Sequence, residues 1–216
     1  MELQKHYDAN YPSLPGFGPD EAHRTGSWTL DDYADWLQGE IIEQRCDAVI
    51  GYSFGCAVAT HGQFLHRSIS LPLILLSPAV ARAYGKSPNK ALILGARILK
   101  HLEMERVVRF LRKHYLTHVV KNPHVMYGTP FLQSTYSNII SIDLSSELAQ
   151  LIDAGYAVKC IFGSEDTATP PETLFLRTPA ARPLSFIIPN GTHNIGSTHP
   201  REVVEHIIDF LKSLKV

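Results

Sequence analysis

The chain has 216 residues, 44% of them hydrophobic and 19% charged, with a formal net charge of −1. That length points to one domain with room for an insertion, and the apolar content supplies a sizeable core. The near-neutral balance excludes a general attraction to nucleic acid, and no apolar run reaches the length of a membrane span.

The first residues, Met1 to Tyr7, lack the apolar centre of a signal peptide. Cys46, Cys56 and Cys160 are odd in number and show no metal-ligand spacing. They read as free thiols in a reducing compartment, so a cytoplasmic location and no metal are expected.

In chain order, His6 to Tyr11 is compatible with the end of a strand but is poor in apolar residues. Leu14-Pro15-Gly16-Phe17-Gly18 belongs to a loop by its proline and glycine density. Thr29 is a candidate N-cap, with Asp31 and Asp32 in the first turn. A helix is predicted from there to about Gln44, with Leu30, Tyr33, Ala34, Leu37, Ile41 and Ile42 on one face.

Ala48-Val49-Ile50 then reads as a buried strand, running into Gly51-Tyr52-Ser53-Phe54-Gly55 and a helical run of small residues. Strand, tight turn with serine at its apex, and helix together form a nucleophile elbow. The turn is expected to strain the backbone at Ser53. Glycines at 51 and 55 are expected because a side chain there would collide with its neighbours. The helix start directs its N–H groups and positive end at whatever Ser53 attacks.

Leu71 to Leu76 is a short continuous apolar run, as in a strand covered on both faces, ended by Ser77-Pro78. Residues 79 to 150 carry helical patterns and no clear strand, including a broad apolar stripe over 105–120. Residues 82 to 121 hold ten Lys and Arg against two Glu, an excess of eight, read as the solvated outer face of helices. Strand signals return at Ala157–Phe162 and Leu184–Ile188, and a last helix is predicted over about 201–214. Strand and helix alternate on both sides of a helical stretch, which argues an α/β fold with a mostly parallel sheet. The expected division is a core of 1–78 and 151–216 interrupted by a helical cap insertion at 79–150.

A serine hydroxyl needs a base beside it in space. In a parallel sheet such groups gather at the carboxyl ends of the strands. After the strand at 157–162 come Glu165 and Asp166, either of which would serve to orient an imidazole. After the strand at 184–188 comes His193, the loop histidine nearest a strand end, with His199 as its competitor. Each group follows its own strand, and the order serine, acid, histidine is that of one triad lineage.

At this point the sequence resembles the α/β-hydrolase superfamily, from Leu14 to about Leu214. The matching pieces are Leu14-Pro15-Gly16-Phe17-Gly18, Gly51-Tyr52-Ser53-Phe54-Gly55, Gly163-x-x-Asp166-x-x-x-Pro170 and Gly191-Thr192-His193. The resemblance implies Ser53 as nucleophile, His193 as general base and acid, Asp166 as orienting acid and the Phe54 N–H as an oxyanion donor. It implies hydrolysis of an ester or related acyl bond, on a small substrate with a hydrophobic acyl part and with no cofactor. It also implies that the chain lacks three strands, since only 13 residues precede the Leu-Pro-Gly loop. The elbow strand would then lose its usual partner, calling for cover from residues 6–11 or from a second copy of the chain. The loop that normally supplies a second oxyanion donor would be missing too. The alternative function is a catalytically inactive, hydrolase-like binding protein.

Overall fold

A computed structural model describes residues 2–17, 25–82, 129–139 and 142–214. The helical stripe expected over 105–120, and the basic stretch beyond Arg82, lie outside the described residues. The chain divides into two compact units: Met1–Leu14, Thr29–Arg82 and Ser141–Val216 form the first, Pro15–Trp28 and Ala83–Ile140 the second.

Helix α1 runs over Leu30–Gln44 and is closed at its start by a capping box. The Thr29 hydroxyl accepts from the Asp32 N–H, while the Asp32 carboxylate accepts from the Thr29 N–H at 2.6 Å. Two otherwise orphaned donors are satisfied this way. Ile42, expected on the apolar face, is 61% exposed: Ile41 takes the buried position, and one further residue turns the side chain about 100° off that face. Arg45 ends the helix in the left-handed region. Strand β1 (Val49–Tyr52) leads through Ser53 into helix α2 (Phe54–Leu65). Strand β2 is Leu73–Leu76 and is buried throughout. In the second unit, helix α3 (Pro130–Ile139) receives the segment before α1: the Trp28 N–H donates to the Thr135 hydroxyl at 2.9 Å, and Trp28 stands edge-on to Phe131.

The first unit resumes with helix α4 (Ser145–Asp153) and strand β3 (Val158–Gly163). The point where the chain leaves this unit after Arg82 and the segment where it resumes are bonded to each other. The Arg82 N–H donates to Asp143, and the Leu144 N–H to the Val80 carbonyl. Arg82, Arg177 and Ser145 all donate to Asp143; despite partial burial, these bonds lower its pKa to about 2. Helix α5 (Pro171–Arg177), a 3-10 turn over Pro179–Leu184, strand β4 (Ser185–Ile188), a short turn α6 (Ile195–Thr198) and helix α7 (Pro200–Ser213) complete the unit. Leu184, expected in the strand, closes the 3-10 turn instead.

The four strands pair in parallel in the order β1-β2-β3-β4. All carboxyl ends therefore open on one rim. Helix α2 packs on β1 and β2, with α1 and α4 against it. On the other face, Ile74, Leu76, Ile161 and Ile188 form one cluster with Val203, Val204, Ile207 and Leu211 of α7. Residues 6–11 do not pair as a strand. A 3-10 turn at Leu3–Lys5 comes first, and Leu3, Tyr7 and Ala9 pack into the α7 cluster.

One expectation needs correction at β1. Ile50, expected to be buried, is 38% exposed. The register pairs Ile50 with Ile74, placing it on the α7 face. A helix is about 10–12 Å wide with its side chains, whereas four strands span about 14 Å. The cluster under α7 reaches β2, β3 and β4, and Ile50 at the sheet edge is left outside it.

A second correction concerns the elbow glycines. A Cβ on Gly51 would lie 2.7 Å from the backbone of Cys56 and of Gly55, so the strand touches the start of α2 there. A Cβ on Gly55 would meet nothing within 4 Å. The close approach belongs to Gly51 alone. The three cysteines are free thiols; burial pushes Cys160 up to about 12, and the Cys56 thiol donates to the Leu76 carbonyl. No helix among the described residues is long and apolar enough to cross a membrane.

His61 ties three helices together. From α2, its Nδ1 faces Glu147 of α4 at 2.9 Å and its Nε2 faces Asp31 of α1 at 2.7 Å. Only the doubly protonated ring donates at both nitrogens. Burial opposes that charge, but the bonds to Glu147 and Asp31 outweigh it and raise the pKa.

Two predictions follow from these contacts. Because the folded pKa of His61 is raised, its stabilisation is complete below the unfolded value of about 6.5 and is lost as pH rises through the higher folded value. The Tm difference between the native chain and His61→Gln, followed against pH, is expected to be largest at mildly acidic pH, at about 2–4 °C for about 1 kcal/mol, and to shrink at alkaline pH. Separately, thermal melts of Gly51→Ala are expected to show a loss of about 1–3 kcal/mol from overpacking, while Gly55→Ala keeps or slightly raises stability because alanine favours a helix.

Candidate active site

The site is assembled at the carboxyl rim of the first unit. Ser53 sits at the end of β1 with φ 51° and ψ −113°, a left-handed strained position for a residue with a Cβ. Backbone bonds hold it there. Its N–H donates to the Leu76 carbonyl at 2.9 Å, and its carbonyl accepts from Cys56 at 3.1 Å and Ala79 at 3.3 Å. The peptide N–H of Phe54 opens α2 directly after the serine. It therefore stands at the positive end of a helix.

Asp166 follows β3 and is 3% exposed. One carboxylate oxygen accepts the N–H groups of Ala168 at 2.9 Å and Thr169 at 2.8 Å. The other accepts the Thr169 hydroxyl and the His193 Nδ1–H, each at 2.8 Å. Burial on its own raises the pKa, but the bonds from Thr169 and His193 more than offset it and hold the carboxyl below its ordinary value. Asp166 therefore remains an anion.

His193 follows β4. Its Nδ1 faces Asp166 and its Nε2 lies 2.8 Å from Ser53 Oγ. Asp166 Oδ2 accepts, so the neutral ring carries its proton on Nδ1. The Nε2 lone pair then faces the serine hydroxyl. The arrangement is chemically able to take a proton from Ser53 and hold the resulting imidazolium against a buried carboxylate.

The loops that carry the acid and the histidine are interlocked. A Cβ on Gly163 would lie 2.2 Å from the Gly191 carbonyl oxygen, so only bare backbone fits at this crossing. The Glu165 N–H donates to that carbonyl at 2.8 Å, and the Ser164 N–H to the Ile188 carbonyl at 3.0 Å.

Of the two acids open from sequence, Asp166 meets the imidazole and Glu165 is exposed. His199 precedes α7 and bonds Thr198 instead. His66 pairs with Asp35. Sequence reasoning gave no role to Thr169, Ser77, Tyr52 or Asn194. Thr169 caps the carboxylate; Ser77 and Tyr52 donate to the His193 carbonyl, and Tyr52 also to Asn194. Ser77 was legible only as a strand terminator, and Tyr52 only as the variable position before the serine.

Three solved structures of similar fold illustrate the likeness. A meta-cleavage product hydrolase from Pseudomonas fluorescens IP01 has a TM-score of 0.63 at 16% identity, covering 98% of this chain and 82% of that one. A thermophilic esterase has a TM-score of 0.57 at 22% identity, covering 93% and 79%. A putative non-heme bromoperoxidase from Mycobacterium tuberculosis H37Rv has a TM-score of 0.61 at 17% identity, covering 94% and 80%. No curated protein matches the sequence. The sequence model described as the alpha/beta hydrolase family matches residues 1–206, and the chain belongs to that family.

Proposed function

We propose that the protein is a serine hydrolase that cleaves an ester or related acyl bond. The observation that carries the reading is the continuous hydrogen-bonded line from Ser53 Oγ through His193 to Asp166, with both links at 2.8 Å. In this reading Ser53 attacks the substrate carbonyl as His193 Nε2 takes its proton. The negative oxygen that develops is met by the Phe54 N–H at the head of α2. His193 then passes the proton to the leaving group, and the acyl group stays on Ser53 until water, activated by the same imidazole, releases it. Asp166 stabilises the imidazolium and remains an anion throughout. No step calls for a cofactor.

The substrate class follows from the chemistry. A neutral hydroxyl activated by one histidine suits an acyl carbonyl, and an esterase and a meta-cleavage product hydrolase among the similar structures accord with that class. A small substrate with a hydrophobic acyl part fits the reading.

A fluorophosphonate probe tests it. The native chain is expected to be labelled on Ser53, and Ser53→Ala to be unlabelled while still folded. With a short p-nitrophenyl ester, Asp166→Asn is expected to lower kcat by about 10⁴-fold, because the ring would lose the tautomer it needs. A folded native chain that takes no label overturns the reading and favours a binding protein on a hydrolase scaffold.

A further inference from the structure

Serine and histidine come from opposite edges of the sheet. Ser53 follows β1 and His193 follows β4, with β2 and β3 between them. Three strand spacings amount to about 14 Å. The loop that carries His193 must therefore be held across the rim against its own freedom, and the structure tethers it at each strand end in turn. At β3 it is bonded to Ser164 and Glu165, with the Asn190 N–H donating to the Ser164 hydroxyl at 2.9 Å. At β2 the Ser77 hydroxyl donates to the His193 carbonyl at 2.9 Å. At β1 the tether is Tyr52.

The Tyr52 hydroxyl lies 2.8 Å from Asn194 Oδ1 and 3.2 Å from the His193 carbonyl oxygen. Its single proton serves the shorter contact first and the carbonyl second. Its ring lies tilted by 39° beside the imidazole, with centroids 5.6 Å apart. Burial and the nearby Asp166 charge push the phenol upward from its ordinary pKa, so it remains a donor at neutral pH. Tyr52 is also 43% exposed at the sheet edge, which is a poor place for a residue whose task is to hold the core.

We infer that Tyr52 is a positioning residue for the hydrolytic reaction: it latches the histidine loop to the strand that presents the nucleophile. The inference rests on Ser53 as nucleophile and His193 as base. Tyr52 is bonded covalently to Ser53, so its hydroxyl measures the histidine loop against the serine itself. The β3 contacts hold the loop at 188–191 and Asp166 holds the ring, but the backbone at His193 is fixed by Ser77 through one carbonyl. The contact to the Asn194 side chain supplies the second point that stops a pivot about it. Error in the serine–imidazole geometry acts on the rate of acylation more than on substrate binding.

Tyr52→Phe keeps the ring and removes only the hydroxyl. With a p-nitrophenyl ester, kcat is expected to fall about tenfold with KM within about twofold, and fluorophosphonate labelling to slow by a similar factor. Thermal melting is expected to stay within about 2 °C of the native chain, and hydrogen exchange at 190–195 to quicken. Asn194→Ala removes the partner from the loop side and is expected to give the same loss, with no further loss in the double variant. Asn194→Ala alone carries the test if Tyr52→Phe does not fold. A labelled native chain with Tyr52→Phe labelled at the native rate overturns the latch and leaves the hydrolase reading standing. So does a loss that matches the unfolded fraction. A native chain that takes no label overturns the hydrolase reading, and the latch falls with it.

Discussion

The imidazole of His193 has to cross the sheet. That demand arises because parallel pairing in the order β1-β2-β3-β4 puts the serine and the histidine at the two edges, while the acid follows a strand between them. Parallel pairing also solves half of the problem by bringing every strand's carboxyl end to one rim. The rest is solved by backbone. Gly163 and Gly191 meet with no side chain on either, and that contact lets the β4 loop lean over β3. A Cβ at either position would push the loop away from the sheet and break the line from Asp166 to Ser53.

Electrostatics and packing then act on the same few atoms. Asp166 is nearly inaccessible and would be expensive as a bare anion. Two N–H groups, a hydroxyl and the imidazole surround it, so the charge is held at fixed direction and the histidine tautomer is set with it. The apolar layers have a different task. Ile74, Leu76, Ile161 and Ile188 under α7, with α2 against the other face, keep the strand ends in register and place the rim.

Much of this was legible in the sequence because it is local. The Thr29 N-cap, the apolar run at Leu71–Leu76, of which Leu73–Leu76 forms the strand, and the Gly-x-Ser-x-Gly elbow are patterns within a few residues. The pattern does not separate Glu165 from Asp166, because two adjacent carboxylates in one turn differ only in where the turn aims them. Ile50 looked buried because an apolar residue in a strand carries no mark of whether a helix reaches the sheet edge. Gly55 looked sterically required because motif and crowding coincide at Gly51, and sequence does not separate them. Tyr52 and Ser77 went unseen as anchors because their partner, the His193 carbonyl, lies more than a hundred residues away and is a backbone atom that every residue owns.

Among the described residues, four other than glycine adopt left-handed backbone: Arg45, Ser53, Ser77 and Asn190. Such a torsion is unfavourable by about 1 kcal/mol or more for a residue with a Cβ. Three of the four cluster where β1, β2 and β4 end. Ser53 and Ser77 both spend their hydroxyls on His193, and Asn190 holds the turn that launches the same loop. Relieving the torsion with glycine would discard the hydroxyl that meets His193 at Ser53 and at Ser77, whereas at Asn190 the bonded group is the backbone N–H, which glycine keeps. The same relief is open at Arg45, at the C-terminal end of α1 and outside the line of Ser53, His193 and Asp166.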